Sequence, residues 1–320
     1  MVPVQNETVL TVASETNQLL IATHTSSQPP YMIAVTPGEE DERIFAISHN
    51  KQYMETGLTT AISLALSRLL VPSVLSPVVF IDVGCNAGVA SLYALQFGVE
   101  RSICVEPNTR LLSRLRYSRL LNAGSVDVQR FHVVSAAAWS STSQVYLHWQ
   151  RYGMAVINDE ACGQTNDNCE RVLSTRLDNI LLEENSPLKS LLLDEKGQCI
   201  SRLAVKVDVE GSEYHTLLGM AKILHCVEWL YLELSPENRL QEISHKRTSD
   251  TLKLLNEHGL QVSGFEKEKL RKYFHLESIE EATIQASLNQ HRRLYPLDIK
   301  TMIMSNAVFL RSDYVATPKG

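Results

Sequence analysis

The sequence predicts a doubly wound α/β fold, and three observations carry that expectation. Val78-Val79-Phe80-Ile81 is a continuous apolar run, as a strand covered on both faces requires. It leads into a glycine-rich turn, Gly84-Cys85-Asn86-Ala87-Gly88, and then into a segment of helical pattern. Beyond it, strand-like and helix-like segments alternate to the end of the chain, the mark of parallel strands joined by helical crossovers.

Each element has its own signal. Residues 53–70 place Leu58, Ile62, Ala65, Leu66 and Leu69 at helical spacing, and Pro72 ends the repeat. The same pattern predicts helices over 89–98, 109–122, 213–224 and 250–259. Strands are expected at 78–81, 102–105, 126–134, 203–209, 229–234, 260–265 and 302–311. The last two can pair antiparallel, which makes the sheet mostly parallel with an antiparallel edge strand. Residues 135–202 show no regular alternation. Polar or charged insertions are expected at 153–171, 183–198 and 267–293. Residues 1–50, rich in Thr, Ser, Gln and Pro, read as an N-terminal extension on a main domain of residues 51–320, with strand-like runs at 9–13 and 31–35.

Composition narrows the function classes. The 320 residues are 44% hydrophobic and 21% charged, ordinary values for a chain that buries a full core. With 30 basic against 36 acidic residues, the net charge of −6 makes a poor generic polyanion binder, because such binding depends on Lys and Arg displacing phosphate counterions. The six cysteines show no CxxC spacing and are expected to be reduced structural thiols, with Cys85, Cys104 and Cys226 as small buried hydrophobes. The N-terminus lacks a signal-peptide pattern, and the apolar stretch 58–83 is broken by Arg68, Pro72 and Pro77. A soluble, cytoplasmic protein that makes no use of a membrane is therefore expected. No HExxH, G-x-S-x-G or G-K-[ST] pattern is present, so zinc-protease, serine-hydrolase and P-loop readings fail.

The glycine turn and the acid after it carry the chemistry. Glycines let the backbone turn tightly and approach a ligand, and the following helix start offers unpaired N–H donors. Dinucleotide enzymes place a second glycine where pyrophosphate passes, whereas this chain has Asn86, giving G-x-N-x-G. Glu106, at the end of the next strand, is placed to accept ribose hydroxyls. Together they favour a nucleoside without a diphosphate, S-adenosylmethionine, over NAD.

Four runs resemble the FkbM family of class I S-adenosylmethionine-dependent methyltransferases. They are Phe80-Ile-Asp-Val-Gly-Cys-Asn-Ala-Gly88, Val105-Glu-Pro-Asn108, Ser174-Thr-Arg-Leu-Asp-Asn179 and Val205-Lys-Val-Asp-Val-Glu-Gly-Ser-Glu213. The resemblance implies a Rossmann-like seven-stranded class I methyltransferase sheet and methyl transfer, usually to a hydroxyl oxygen. The cofactor-binding set read on this basis is Glu55, Asp82, Gly84, Asn86, Gly88, Glu106 and Asn108. Glu55 enters because the family often places an acid ahead of the first strand. The family's usual acceptor is a small-molecule or glycan hydroxyl. A nucleic-acid ribose is the less favoured acceptor, suggested by Arg110, Arg114, Arg116 and Arg119 on one helix, which otherwise read as a solvated face.

A second carboxylate group stands at the same sheet edge. Along residues 203–209 the side chains alternate, so Lys206, Asp208 and Glu210 share one face and Val205, Val207 and Val209 the other. Three charges on one face of a buried strand are costly unless paired or functional. Asp208 and Glu210, with Glu233 at the end of the next strand, are the candidate bases for a hydroxyl proton, and Lys206 is the expected partner of Asp208. No metal ligand set is expected, although a divalent ion could use these carboxylates. The competing readings are a degenerate methyltransferase fold that binds a partner and, less favoured because of Asn86, an NAD-dependent oxidoreductase. His215 is expected to be a solvated or core histidine.

Overall fold

The computed structural model describes residues 12–13, 19–24, 31–35, 56–71, 76–125, 127–149, 155–158, 162, 169–184, 186–234, 248–262 and 305–311. The chain opens with three short antiparallel strands, β1 (Val12–Ala13), β2 (Leu19–His24) and β3 (Met32–Val35). Next come helix α1 (Thr56–Leu69), β4 (Val78–Val83), α2 (Val89–Phe97), β5 (Arg101–Val105), α3 (Thr109–Leu121) and β6 (Phe131–Val134). A second group of strands interrupts the alternation: β7 (Ala137–Ala138), β8 (Ser143–Trp149), β9 (Ala155–Asn158) and β10 (Cys169–Thr175). Short helices α4 (Leu177–Leu182) and α5 (Lys189–Leu192) lead to β11 (Arg202–Val207), α6 (Glu213–Gly219) and β12 (Val227–Leu234). Helix α7 (Thr248–Glu257) and strands β13 (Leu260–Val262) and β14 (Ser305–Arg311) complete the described residues.

The main sheet has seven strands in the order β13-β14-β12-β11-β4-β5-β6. The five strands from β12 to β6 run parallel, and β14 is antiparallel to both β12 and β13. This is the doubly wound, mostly parallel Rossmann-like sheet expected from the sequence, with its antiparallel pairing at one edge. Its order reverses at β4, so the loops after β4 and β11 open into one crevice at the carboxyl ends of the strands.

Alternation along the central strands divides the core into two layers. Val79, Ile81 and Val83 of β4 and Leu203, Val205 and Val207 of β11 pack on one face. Val78 and Phe80 of β4 and Ala204 of β11 pack on the other, against α1 and α2. Lys206 follows Ala204 by two residues and shares its face, in register with Asp82 of β4. The expected facing holds for Val205, Lys206 and Val207; the strand ends at Val207 rather than Val209, so Asp208 and Glu210 lie beyond it, with Glu210 in a left-handed turn.

The stretch 135–202, irregular by sequence pattern, contains a second sheet in the order β7-β10-β8-β9. Val145, Leu147, Ile157 and Val172 make its small core with Ala137. The alternation Val145-x-Leu147 is the signal that could have found it. Arg176 and Asp178 lock this insert to the main domain. Arg176 donates to Asp178 (2.8 Å), to Ser140 O and to Leu218 O, while Asp178 accepts from Lys222 N. Helix α6 ends at Gly219, earlier than residue 224, and a β-carbon at Gly219 would lie 2.1 Å from the Trp139 carbonyl oxygen. Residues 267–293 and most of 153–168 lie outside the described residues.

Strand β3 docks on α3. Asn122 accepts from Met32 N and donates to Met32 O, and Ser118 Oγ accepts from Ala34 N. Helix α3 therefore does not present a uniformly solvated arginine face, and Arg114 is buried.

The reduced-thiol expectation fails. All six cysteines pair, as Cys85–Cys104, Cys162–Cys169 and Cys199–Cys226, with Cα atoms 5.5, 5.5 and 5.6 Å apart. Sequence spacing gave no hint because the partners come from neighbouring strands and loops. Disulfides persist in oxidising compartments, so the support that reduced thiols lent to a cytoplasmic location is gone. Among the described residues no helix is long and apolar enough to cross a membrane. Unfolded without reductant, the protein is expected to show no reactive thiol, and six after reduction. Reduction should lower stability in urea by about 2–4 kcal/mol per bridge, because each bridge restricts the unfolded chain. Six reactive thiols before reduction would restore the original reading.

Candidate cofactor and acceptor site

The crevice is built first by the loop after β4. Gly84 has φ +74°, and a β-carbon there would lie 1.8 Å from the Asp208 carbonyl oxygen, so only glycine lets this loop lie against the end of β11. Gly88 (φ +77°) caps α2, and a β-carbon would approach Leu115 Cδ2 to 2.5 Å. Between them Asn86 adopts a left-handed φ of +51°, which Asn tolerates better than most residues. The amides of Gly84 and Cys85 donate to Val105 O, and the Cys85–Cys104 bridge fastens the same loop to β5.

Glu106 closes the cradle at the end of β5. Its Oε2 accepts from Asn86 N and its Oε1 from Asn108 N, each at 2.9 Å. Burial pushes its proton affinity up to about 7 against the pull of those two amides and of Lys206. Asn108 caps α3 by accepting from Arg110 N. Asn86 Oδ1 is buried and has no hydrogen-bond partner, an acceptor facing no protein donor.

Asp82, read from sequence as a cofactor residue, is wholly buried below the loop. Its Oδ2 accepts from Ser91 N and Ser91 Oγ at the start of α2, and its Oδ1 lies 3.4 Å from Lys206 Nζ. It stabilises the loop from beneath. Glu55 lies outside the described residues.

The second wall comes from β11 and β12. Lys206 Nζ lies 3.1 Å from Asp208 Oδ2 and donates to Gly84 O at 3.3 Å. Parallel register pairs Lys206 with Tyr231 and Val207 with Leu232, so Asp208 and Glu233 emerge on adjoining strand ends with their carboxyls close together. Burial, Asp208 and then Glu210 all raise the proton affinity of Glu233 far above the usual carboxylate range. Glu210 stands in a left-handed turn (φ +51°) with Gly211 (φ +98°). Glu213 accepts from Gly211 N at 2.8 Å beneath this turn, and burial pushes its proton affinity up to about 7.

The structure thus gathers Gly84, Asn86, Gly88, Glu106, Asn108, Asp208, Glu210 and Glu233 at one sheet edge. Lys206 and Glu213 belong to the same cluster. The sequence reading used the first only as a partner and the second only as a helix start. His215 is neither free in solvent nor in the core: it stacks on Trp139 at 4.2 Å and meets Ser140 Oγ through Nδ1 at 3.0 Å. Among the described residues, the one grouping with metal-type donors is Cys199, His225 and Cys226, at the opposite edge, with its two sulfurs joined.

No family model matches the sequence. No curated protein matches it. Solved structures are similar at the level of the fold. Methyltransferase FkbM from Methylobacillus flagellatus KT is 18% identical over 60% of this chain and 40% of its own, with a TM-score of 0.33. The chain therefore spans less than half of that protein. Precorrin-6y C5,15-methyltransferase from Geobacter metallireducens GS-15 is 13% identical over 63% and 72%, with a TM-score of 0.31. The plantazolicin methyltransferase BpumL, solved with SAH, is 10% identical over 83% and 89%, with a TM-score of 0.35.

Two buried acids with raised proton affinity give the fold a pH signature. Folded Glu106 and Glu213 hold protons up to about pH 7, whereas an unfolded glutamate releases them near 4.5. Between those values the folded state binds more protons, so stability falls as pH rises from about 4.5 through 7. Each acid contributes a slope of at most about 1.4 kcal/mol per pH unit. Chemical denaturation of Glu213→Gln should show a shallower decline across that window. An identical decline would show that Glu213 is ionised in the fold.

Proposed function

We propose that the protein is an S-adenosylmethionine-dependent methyltransferase that acts on a hydroxyl oxygen of a small-molecule or glycan acceptor. The observation that carries this reading is the polarity of the cradle. Glu106 presents a carboxylate and Asn86 a buried, unpaired carbonyl oxygen, both hydrogen-bond acceptors. S-adenosylmethionine offers matching donors, an α-ammonium and two ribose hydroxyls. A diphosphate offers only acceptors, and the Asn86 carbonyl would face it unfavourably.

On this reading Gly84, Asn86 and Gly88 shape the loop that receives the cofactor, and Glu106 takes the ribose. Asn108 holds the Glu106 carboxylate and starts α3. When bound, the cofactor supplies a methyl group made electrophilic by its sulfonium. The chain supplies alignment and a base, since a hydroxyl must lose its proton as its oxygen bonds to carbon. Asp208, Glu210 and Glu233 stand where such a proton can be taken. The negative charge of Asp208 and Glu210 repels phosphates, which favours a neutral acceptor over a nucleic-acid ribose.

Calorimetric titration tests the reading directly. S-adenosylmethionine is expected to bind and NAD to give no signal; the reverse result would replace the methyltransferase reading with an oxidoreductase one. Glu106→Gln removes a charge-assisted contact to ribose and should weaken cofactor binding at least about tenfold. Unchanged affinity would place the ribose elsewhere.

A further inference from the structure

Two carboxyl groups that hydrogen-bond to each other must share a proton, because ionised carboxylates only accept. Parallel register brings Asp208 and Glu233 to adjoining strand ends, where their carboxyls are close enough to enter that relation. The neighbouring cation decides which member keeps the charge. Lys206 Nζ lies 3.1 Å from Asp208 Oδ2, on the same face of the chain two residues away. The ammonium is buried and has two further anchors, Asp82 Oδ1 at 3.4 Å and the Gly84 carbonyl at 3.3 Å. It therefore cannot swing towards Glu233 without leaving Asp82, whose only other described contacts are on its second oxygen.

We propose that Lys206 is a positioning residue that leaves Asp208 as the proton acceptor of this site, with Glu233 as its proton-carrying partner, and that ties the pair to the cofactor loop. The chemistry rests on the methyltransferase reading; the proton arrangement does not. Among the described residues, the charged groups around the pair and its lysine are Asp82 from β4, Glu106 from the end of β5, Lys206 from β11, Glu210 from the turn after it and Glu213 from α6. All but Lys206 are acids, so they favour proton uptake by the pair, and Lys206 alone opposes it at Asp208. Burial and the adjacent Asp208 explain why Glu233 is the member that holds the proton. In turnover the acceptor's hydroxyl proton passes to Asp208, which becomes the neutral acid. The electron pair of that O–H bond stays on the oxygen and makes it the nucleophile.

The arrangement also places the loop and the base in one mechanical unit. Asp208 N donates to Val83 O, its own carbonyl abuts Gly84, and Lys206 spans both. Disturbing Lys206 should therefore change both the titration of Asp208 and the affinity for cofactor.

The test uses the full chain with 13C-labelled Asp and Glu carboxyl groups, followed by NMR across pH without any acceptor. The wild type should show one glutamate that stays protonated far above the usual range and vanishes in Glu233→Gln. It should also show one aspartate, absent in Asp208→Asn, that remains ionised at neutral pH. In Lys206→Met the Asp208 titration should rise by at least about one pH unit, and Lys206→Arg should restore it. In Glu233→Gln a neutral amide donor replaces a neutral acid donor beside Asp208, so the Asp208 titration should move by less than about one pH unit. That variant and Lys206→Arg decide the matter if Lys206→Met does not fold. An ordinary titration for Glu233, an Asp208 unmoved in Lys206→Met, or an Asp208 titration that falls by more than about one pH unit in Glu233→Gln, as loss of a neighbouring charge would cause, would each overturn the assignment. Calorimetry with S-adenosylmethionine completes the experiment, with Lys206→Met binding about tenfold more weakly and Lys206→Arg within about threefold of wild type. Equal affinity in Lys206→Met would remove the tie to the loop. Absence of binding by the wild type would defeat the methyltransferase reading and leave the carboxyl titrations to judge the proton assignment.

Discussion

An ammonium group buried in the middle of a parallel sheet is the constraint on which this site depends. Lys206 is 5% exposed and stands between β4 and the end of β11. Taking such a charge out of water costs several kcal/mol unless carboxylates compensate it closely. Asp82 and Asp208 supply that compensation from two sides, and the Gly84 carbonyl takes a further proton of the ammonium. Satisfying one cation thus fixes the floor of the loop, the loop itself and the end of β11 relative to one another. The acids exceed the cations, and the surplus appears at Glu233, where burial and the adjoining Asp208 hold a proton on the carboxyl.

The loop is secured by covalent and steric means as well. Gly84 can lie against the Asp208 carbonyl only because it lacks a side chain. The Cys85–Cys104 bridge joins the loop to β5, whose last residues lead into Glu106. The Glu106 carboxylate then draws in the amides of Asn86 and Asn108. A ligand arriving at this edge meets groups already held in place, so little ordering entropy remains to be lost on binding. Further from the crevice, Glu170 of the inserted sheet accepts from Thr109 N and Thr109 Oγ1, so the insert also rests on the start of α3.

Much of this was legible in the sequence, and the reasons are particular. The run Val78 to Ile81 is apolar at every position because β4 is covered on both faces, and that pattern survives reading without a structure. Gly84, Asn86, Gly88 and Glu106 stand at fixed places relative to two strands, so their convergence followed from topology. Lys206, Asp208 and the valines between them alternate, and the facing of β11 followed from that period. The inserted sheet escaped because its longer strands are half-exposed, with buried positions interrupted by Ser, Gln and Glu. Arg114 escaped because a charge on a helix reads as solvated until something packs over it.

The sequence alone determined the doubly wound sheet, the position of the glycine turn and the acids that gather at its edge. These depend on periodicities and on local backbone demands, both of which are written in consecutive residues. Tertiary structure decided the pairing of all six cysteines, the burial of Asp82 beneath the loop and the closeness of Asp208 and Glu233 at adjoining strand ends. It also decided that β3 covers part of α3. Each of these depends on the separation of atoms far apart in the chain, and on how much water is excluded between them. Hydrogen bonds, proton affinities and disulfide geometry all follow from such distances, and no linear pattern records them.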